Sequence, residues 1–137
     1  MSFTNYLEDK VLNHVFGGTA FTAPTTLYVG LFTAEPGEAG GGTEVSGAGY
    51  ARQSVAMSVS GSNPTEANND ANIEWPTATG TQGTISHAGV FDASTGGNLL
   101  AYAALSDPTN LESTLTKTVT AGDVFRIAAG NLKIRLD

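Results

Sequence analysis

The run TTLYVGLFT at residues 25–33 decides the fold. Leu27, Val29 and Leu31 fall on one side of an extended chain, and Tyr28, Gly30 and Phe32 on the other, with the two-residue period of a β-strand. Both sides are apolar, which predicts a central strand covered on both faces. Gly30 lacks a side chain in mid-strand, so a bulky neighbour is expected to pack on it.

Short alternating runs follow to the end of the chain. Residues 50–60 read as a strand with Ala51, Val55, Met57 and Val59 inward and Arg52, Ser54 and Ser58 toward solvent. Residues 71–75 and 84–91 read as two more; in the second, Ile85, His87, Gly89 and Phe91 share one face and Ala88 and Val90 the other. Ser94-Thr95-Gly96-Gly97 signals a hairpin, after which residues 98–105 pair back. Residues 115–119, 124–128 and 132–136 complete the set. Residues 35–49 and the polar stretch 61–72 read as loops, and Asp107-Pro108 opens a turn.

Upstream, the period lengthens. Phe3, Leu7, Val11 and Val15 recur every four residues, and Tyr6, Leu12 and Phe16 widen the stripe, predicting an amphipathic helix over residues 2–16. Thr4 or Asn5 can cap its start, with Glu8 placed for a capping box on Asn5, and Gly17-Gly18 ends it. The expected fold class is therefore all-β: an antiparallel β-sandwich or barrel of about seven or eight short strands behind one N-terminal amphipathic helix. Residues 1–18 are expected to form a docking or assembly helix and residues 19–137 a single β-sandwich domain. The stripe of Phe3, Tyr6, Leu7, Val11, Val15 and Phe16 supplies the candidate interface residues. It can cover the domain's own sheet or a neighbouring subunit, and the sequence leaves both open.

Composition narrows the function. Charged residues make up only 14% of the 137 residues, against about 25% in average globular proteins. Thirteen acids against six bases give a net charge of −7, and the bases form no cluster. Such a surface repels phosphate backbones and anionic bilayers, so neither nucleic acid nor a membrane is an expected partner. No signal peptide or spanning helix is evident. There is no cysteine, which removes thiol chemistry and Cys-ligated metals.

No constellation for catalysis emerges. His14 has no His, Asp or Glu at helical spacing i+4, and His87 has none at strand spacing i+2, so no metal site is expected and local hydrogen bonding accounts for both. No G-x-S-x-G elbow is present. Gly40-Gly41-Gly42 lacks the lysine and following helix of a phosphate-binding loop. The acids fall mostly in turns, and residues 63–72 lack calcium-loop spacing. The sequence thus predicts a non-enzymatic protein without cofactor.

Several stretches resemble a known family: NYLEDKVLNHVFGG (5–18), LYVGLFT (27–33), GYAR (49–52), GVFD (89–92), GGNLLAY (96–102) and AGDVFR (121–126). Together and in this order they resemble the small bacteriophage proteins labelled "phage tail fiber protein", across nearly the whole chain. Residues 61–72 and 107–113 are where this sequence departs from them. The resemblance implies a virion component, made in the host cytoplasm. Its expected partners are copies of itself, with a trimer favoured, other phage structural proteins, and the host surface through loops. A capsid decoration (cement) protein requires the same fold and is the alternative. A carbohydrate-binding module would need an aromatic platform from Trp75, Tyr50 and Tyr102, although Trp75 before Pro76 reads as a core residue.

Overall fold

The computed structural model describes residues 1–107 and 109–136. Pro108, and with it half of the turn expected at Asp107-Pro108, lies outside the described residues. In chain order the elements are β1 (Ser2–Phe3), α1 (Asn5–Val15), β2 (Leu27–Ala34), β3 (Thr43–Glu44), β4 (Gln53–Val55), β5 (Met57–Ser60), β6 (Thr65–Asn69) and β7 (Ile73–Glu74). They continue as β8 (Gly83–Ile85), β9 (His87–Phe91), β10 (Leu99–Ala104), β11 (Ser106–Asp107), β12 (Asn110–Thr114), β13 (Lys117–Val119), β14 (Arg126–Ile127) and β15 (Lys133–Leu136).

The all-β reading with one N-terminal helix holds. The strand read at residues 25–33 is central: β2 pairs with β9 on one side and with β4 and then β3 on the other. The main sheet runs β1-β10-β9-β2-β3, entirely antiparallel. The expected hairpin joins β9 to β10. A second sheet has the order β15-β6-β5, and β13-β8, β14-β7 and β11-β12 form short ladders. Among the described residues these sheets stay open and none closes into a barrel.

One face of the main sheet supplies Val29, Leu31, Ala88 and Val90 to the larger core. Ile73, Trp75, Ile85, Val119 and Leu132 approach from the smaller ladders. Burying each large side chain of this kind stabilises the fold by about 1.5–3 kcal/mol. On the opposite face Phe32 and Phe91 stack with centroids 5.9 Å apart, and Leu99, Tyr28 and Tyr102 close round them. Tyr28 stands opposite Phe91 in the β2–β9 register, and Gly30 opposite Gly89. A Cβ on Gly30 would lie 2.9 Å from Phe91 Cε2 and 2.9 Å from Glu44 Oε1, so the bulky covering expected there is present.

Four expectations need correction. Ser2 and Phe3 are strand, not helix, because Thr4 is held down before the helix begins: its N–H donates to Leu100 O at 2.9 Å, which fixes the preceding residues beside β10. The run 50–60 breaks at Ala56, whose carbonyl accepts from Asp70 N. The break separates β4 from β5; Val55 and Met57 pack on the larger core and Ser54 and Ser58 are exposed, as the alternation requires, but Val59 ends 71% exposed, Ala51 is exposed and the Arg52 side chain is only 8% exposed. The run 84–91 breaks at Ser86, so Ile85 joins Ala88 and Val90 in the larger core. The polar stretch 61–72 contains β6, the middle strand of its sheet, rather than being a loop throughout. Asn69 there is 2% exposed, and its carboxamide donates to Ala71 O and Ala128 O and accepts from Leu132 N. Hydrogen bonds do at this site what apolar contact does elsewhere. Residues 107–113, where the sequence departs from the family stretches, include parts of the β11–β12 ladder.

Candidate functional site

The helix is rooted at one end and bare at the other. Thr4 is the N-cap: its Oγ1 accepts from Leu7 N at 3.4 Å and donates to Leu99 O at 2.6 Å. It is 2% exposed, so the cap both satisfies an orphan helical N–H and pins the helix to the main sheet. Asn5 N donates to Glu38 O at 3.0 Å and ties the same turn to the loop before β3. At the far end Gly18, with φ of 72°, follows the last turn, and Thr19 N returns to Asn13 O. His14 Nδ1 accepts from Phe21 N at 3.0 Å, a local role for that histidine.

Along this rod the stripe is unevenly covered. Phe3, in register with Ala101, is half-buried, as are Tyr6, Leu7 and Val11. Val15 is 61% exposed and Phe16 82%, and Leu12 beside them is 58% exposed. No residue of α1 is fully buried. The interface candidates therefore divide into a root that rests on the domain and a distal half facing solvent. Large apolar side chains grouped on a surface mark a contact site more often than isolated ones do.

The other concentrated feature is the polar cluster built on Arg52. Its Nε donates to Glu44 Oε1 and its Nη2 to Glu44 Oε2, both at 2.8 Å, a two-pronged ion pair. Its Nη1 donates to the carbonyls of Ala93 and Gly96, at 2.9 and 2.7 Å, in the β9–β10 turn. The guanidinium carbon sits 3.4 Å from the Phe91 ring centroid. Tyr50 Oη donates to Glu44 Oε1 at 2.8 Å and accepts from Leu31 N at 3.0 Å. Burial, above all, pushes the Tyr50 hydroxyl well above the ordinary tyrosine range, and the Glu44 carboxylate adds to it. Every hydrogen-bonding arm of this cluster ends on a protein atom, so its chemistry is cohesive: it fixes the 92–98 turn against the sheet. The alternation places Arg52 in solvent although GYAR is a family stretch; the half-buried carboxylate that explains it, Glu44, lies eight residues earlier, on the next strand along the same edge of β2.

His87 Nδ1 lies 2.8 Å from Ser86 Oγ. Among the described residues no three His, Asp or Glu side chains gather as a metal site. Trp75 is 2% exposed and meets Phe125 edge-on at 5.4 Å, so it belongs to the core. With Tyr50 also engaged, Trp75, Tyr50 and Tyr102 do not make an exposed aromatic platform. No helix among the described residues is long and apolar enough to cross a membrane.

A family model described as "Podophage GP4 fiber I protein gp80" matches residues 2–135. No curated protein matches the chain. The match spans the helix, the Arg52 cluster and both sheets. The chain belongs to this phage tail fiber protein family.

Proposed function

We propose that this fiber-family protein is a tail fiber or appendage subunit that acts by self-association and non-covalent binding, with the distal half of α1 as the contact between copies. The observation that carries this is the exposed group Leu12, Val15 and Phe16, on a helix whose root is firmly held. Burying such side chains between copies removes apolar area from water at about 25 cal/mol per Å². A closed ring of like contacts, with a trimer favoured, suits a fiber that must be rigid along one axis. On this reading residues 1–18 are the docking and assembly element, and residues 19–137 form one β-sandwich domain. Other phage structural proteins hold one end, and loops at the other end face the host. The subunit is made in the host cytoplasm and works in the virion by shape and many weak contacts, with no covalent step. The fiber family gives no support to the alternative of capsid decoration.

The test is the mass in solution of the wild type and of a Val15→Asp/Phe16→Asp variant, by light scattering on a sizing column. Both positions are exposed, so the variant should keep the wild-type circular dichroism. The wild type should be an oligomer and the variant a monomer. A monomeric wild type, or a variant of unchanged mass, refutes the assignment.

A further inference from the structure

We propose that the side chains of Lys133 and Asn68 become joined by an isopeptide bond, with Glu66 carrying the proton, so that β15 is covalently fastened to β6. The bond lies within one chain and goes beyond the fiber reading. Contacts with other proteins stay non-covalent.

The ladder register brings the three side chains together. Asn69 N donates to Leu132 O at 3.3 Å, which makes those two a hydrogen-bonded pair. The next pair along, Asn68 with Lys133, is then of the non-hydrogen-bonded kind, and so, two residues further, is Glu66 with Arg135. Partners in such pairs stand closest, with Cα atoms about 4.5 Å apart and side chains on one face. The contact from Arg135 Nε to Glu66 Oε2 shows side chains meeting across this ladder. The flexible four-carbon stem of Lys133 covers the equivalent gap to Asn68. Leu132, Ile134 and Asn69 point to the opposite face, the first two into the larger core.

The surroundings of Asn68 are unusual. Its Oδ1 is buried and, among the described residues, has no hydrogen-bond partner. Buried polar atoms are satisfied in nearly all native structures, so an orphan in a carboxamide needs a reason. Lys133 is half-buried, and among the described residues it has no ion pair of its own, since Arg135 takes the carboxylate nearby. Joining the two replaces a half-buried ammonium and a primary carboxamide by one neutral amide, with fewer polar groups to satisfy.

Glu66 is placed for the proton. Its side chain is only 18% exposed. The Arg135 guanidinium, above all, holds its carboxyl below the usual range; a hydrogen bond from the Asn68 carboxamide and the charge of Lys133 act the same way. A carboxylate only accepts, so the Asn68 donor is Nδ2, the nitrogen that must leave. Lys133 Nζ, as the neutral amine, adds to Asn68 Cγ. The new Nζ–Cγ bond forms and the Cγ–Nδ2 bond breaks. Nζ gives up one proton, Glu66 takes it and passes it to Nδ2, and Nδ2 departs as ammonia. Nothing is oxidised or reduced. Holding amine and carboxamide on one rigid ladder supplies the proximity that such a step requires.

The experiment is intact-mass spectrometry of the full chain during incubation at pH 9, followed by proteolysis and peptide sequencing. The attack uses the neutral amine, a larger share of a lysine population at pH 9 than at pH 7. The wild type should become lighter by one ammonia, and the peptides holding Asn68 and Lys133 should be found joined. Lys133→Arg and Asn68→Ala should keep their full mass, with the fold checked by circular dichroism. Glu66→Gln should form the bond at least about tenfold more slowly, because positioned proton transfer contributes about 10²–10⁴-fold. A wild type that keeps its full mass overturns the proposal. So does an ammonia loss that persists in Lys133→Arg with the peptides separate, which is a succinimide at Asn68. Equal rates in Glu66→Gln overturn the proton step. The mass of the oligomer reports separately on self-association, so this result leaves the fiber reading to its own test.

Discussion

Replacing Arg52 by methionine should destabilise the domain by about 3 kcal/mol. The substitution keeps a long apolar stem but deletes four hydrogen bonds: two to Glu44 and one each to Ala93 O and Gly96 O. It also removes the guanidinium from the Phe91 ring. Taking one partner from a buried ion pair costs about 3–5 kcal/mol, mostly because the other charge is left without compensation. The lower end applies, since the Glu44 side chain is 24% exposed and keeps the Tyr50 hydroxyl as a donor. For a domain of this size 1 kcal/mol moves the melting temperature by about 3–5 °C, so a fall of about 10–15 °C is expected. Thermal circular dichroism at one fixed protein concentration reads it, because self-association makes the midpoint concentration-dependent. Arg52→Lys should recover little, lacking the planar fork that reaches both Glu44 oxygens. The Arg52→Met/Glu44→Leu double variant should melt higher than either single variant, because no buried charge is left alone. Single variants that each lose less than about 1 kcal/mol, or effects that simply add, would refute the reasoning.

Other sites give sharper local tests. Gly30→Val places a side chain 2.9 Å from Phe91 Cε2 and Glu44 Oε1, and should cost about 1–3 kcal/mol by overpacking; an unchanged urea midpoint contradicts close packing there. Asn69→Ala strands the buried Leu132 N–H and takes the donor from two part-buried carbonyls, for a loss of about 2–3 kcal/mol in denaturant titration; a loss under about 1 kcal/mol would mean the network is dispensable. Tyr50 ties stability to alkaline pH. Its folded value is raised, so the unfolded chain ionises first; the stability it contributes is complete below about pH 10 and drains away as pH rises through the folded value. The wild-type melting temperature should therefore fall more steeply above about pH 10 than that of Tyr50→Phe, and parallel slopes would remove Tyr50 as the cause.

What could be read in the sequence was what periodicity encodes. The alternation at residues 25–33 specified a central strand, Gly96-Gly97 specified a hairpin, and the four-residue recurrence from Leu7 to Val15 specified a helix. Three things escaped, each for a physical reason. Alternation assumes unbroken strands, and the single-residue break at Ser86 inverts the parity that follows, bringing Ile85 to the same core as Ala88 and Val90. Polarity was taken for exposure, yet β6 is held by the carboxamide of Asn69. A lone arginine in a strand looks solvated unless its distant carboxylate is known, and Glu44 reaches Arg52 only because β3 and β4 flank the same strand. The helical stripe was legible, but how it splits into a supported root and a bare tip depends on where Thr4 anchors it.

The two-residue ladder between β1 and β10 has a mechanical meaning. If a particle pulls on its fiber through the tip of α1, the load enters the body at Thr4 and passes to β10 through the Ser2–Tyr102 and Phe3–Ala101 pairings. From β10 it spreads into β9 and β2, the longest and best-buried ladders of the molecule. The short ladder and the threonine beside it are then the joint that yields first, a weak link that lets the arm detach while the β-sheet body stays folded.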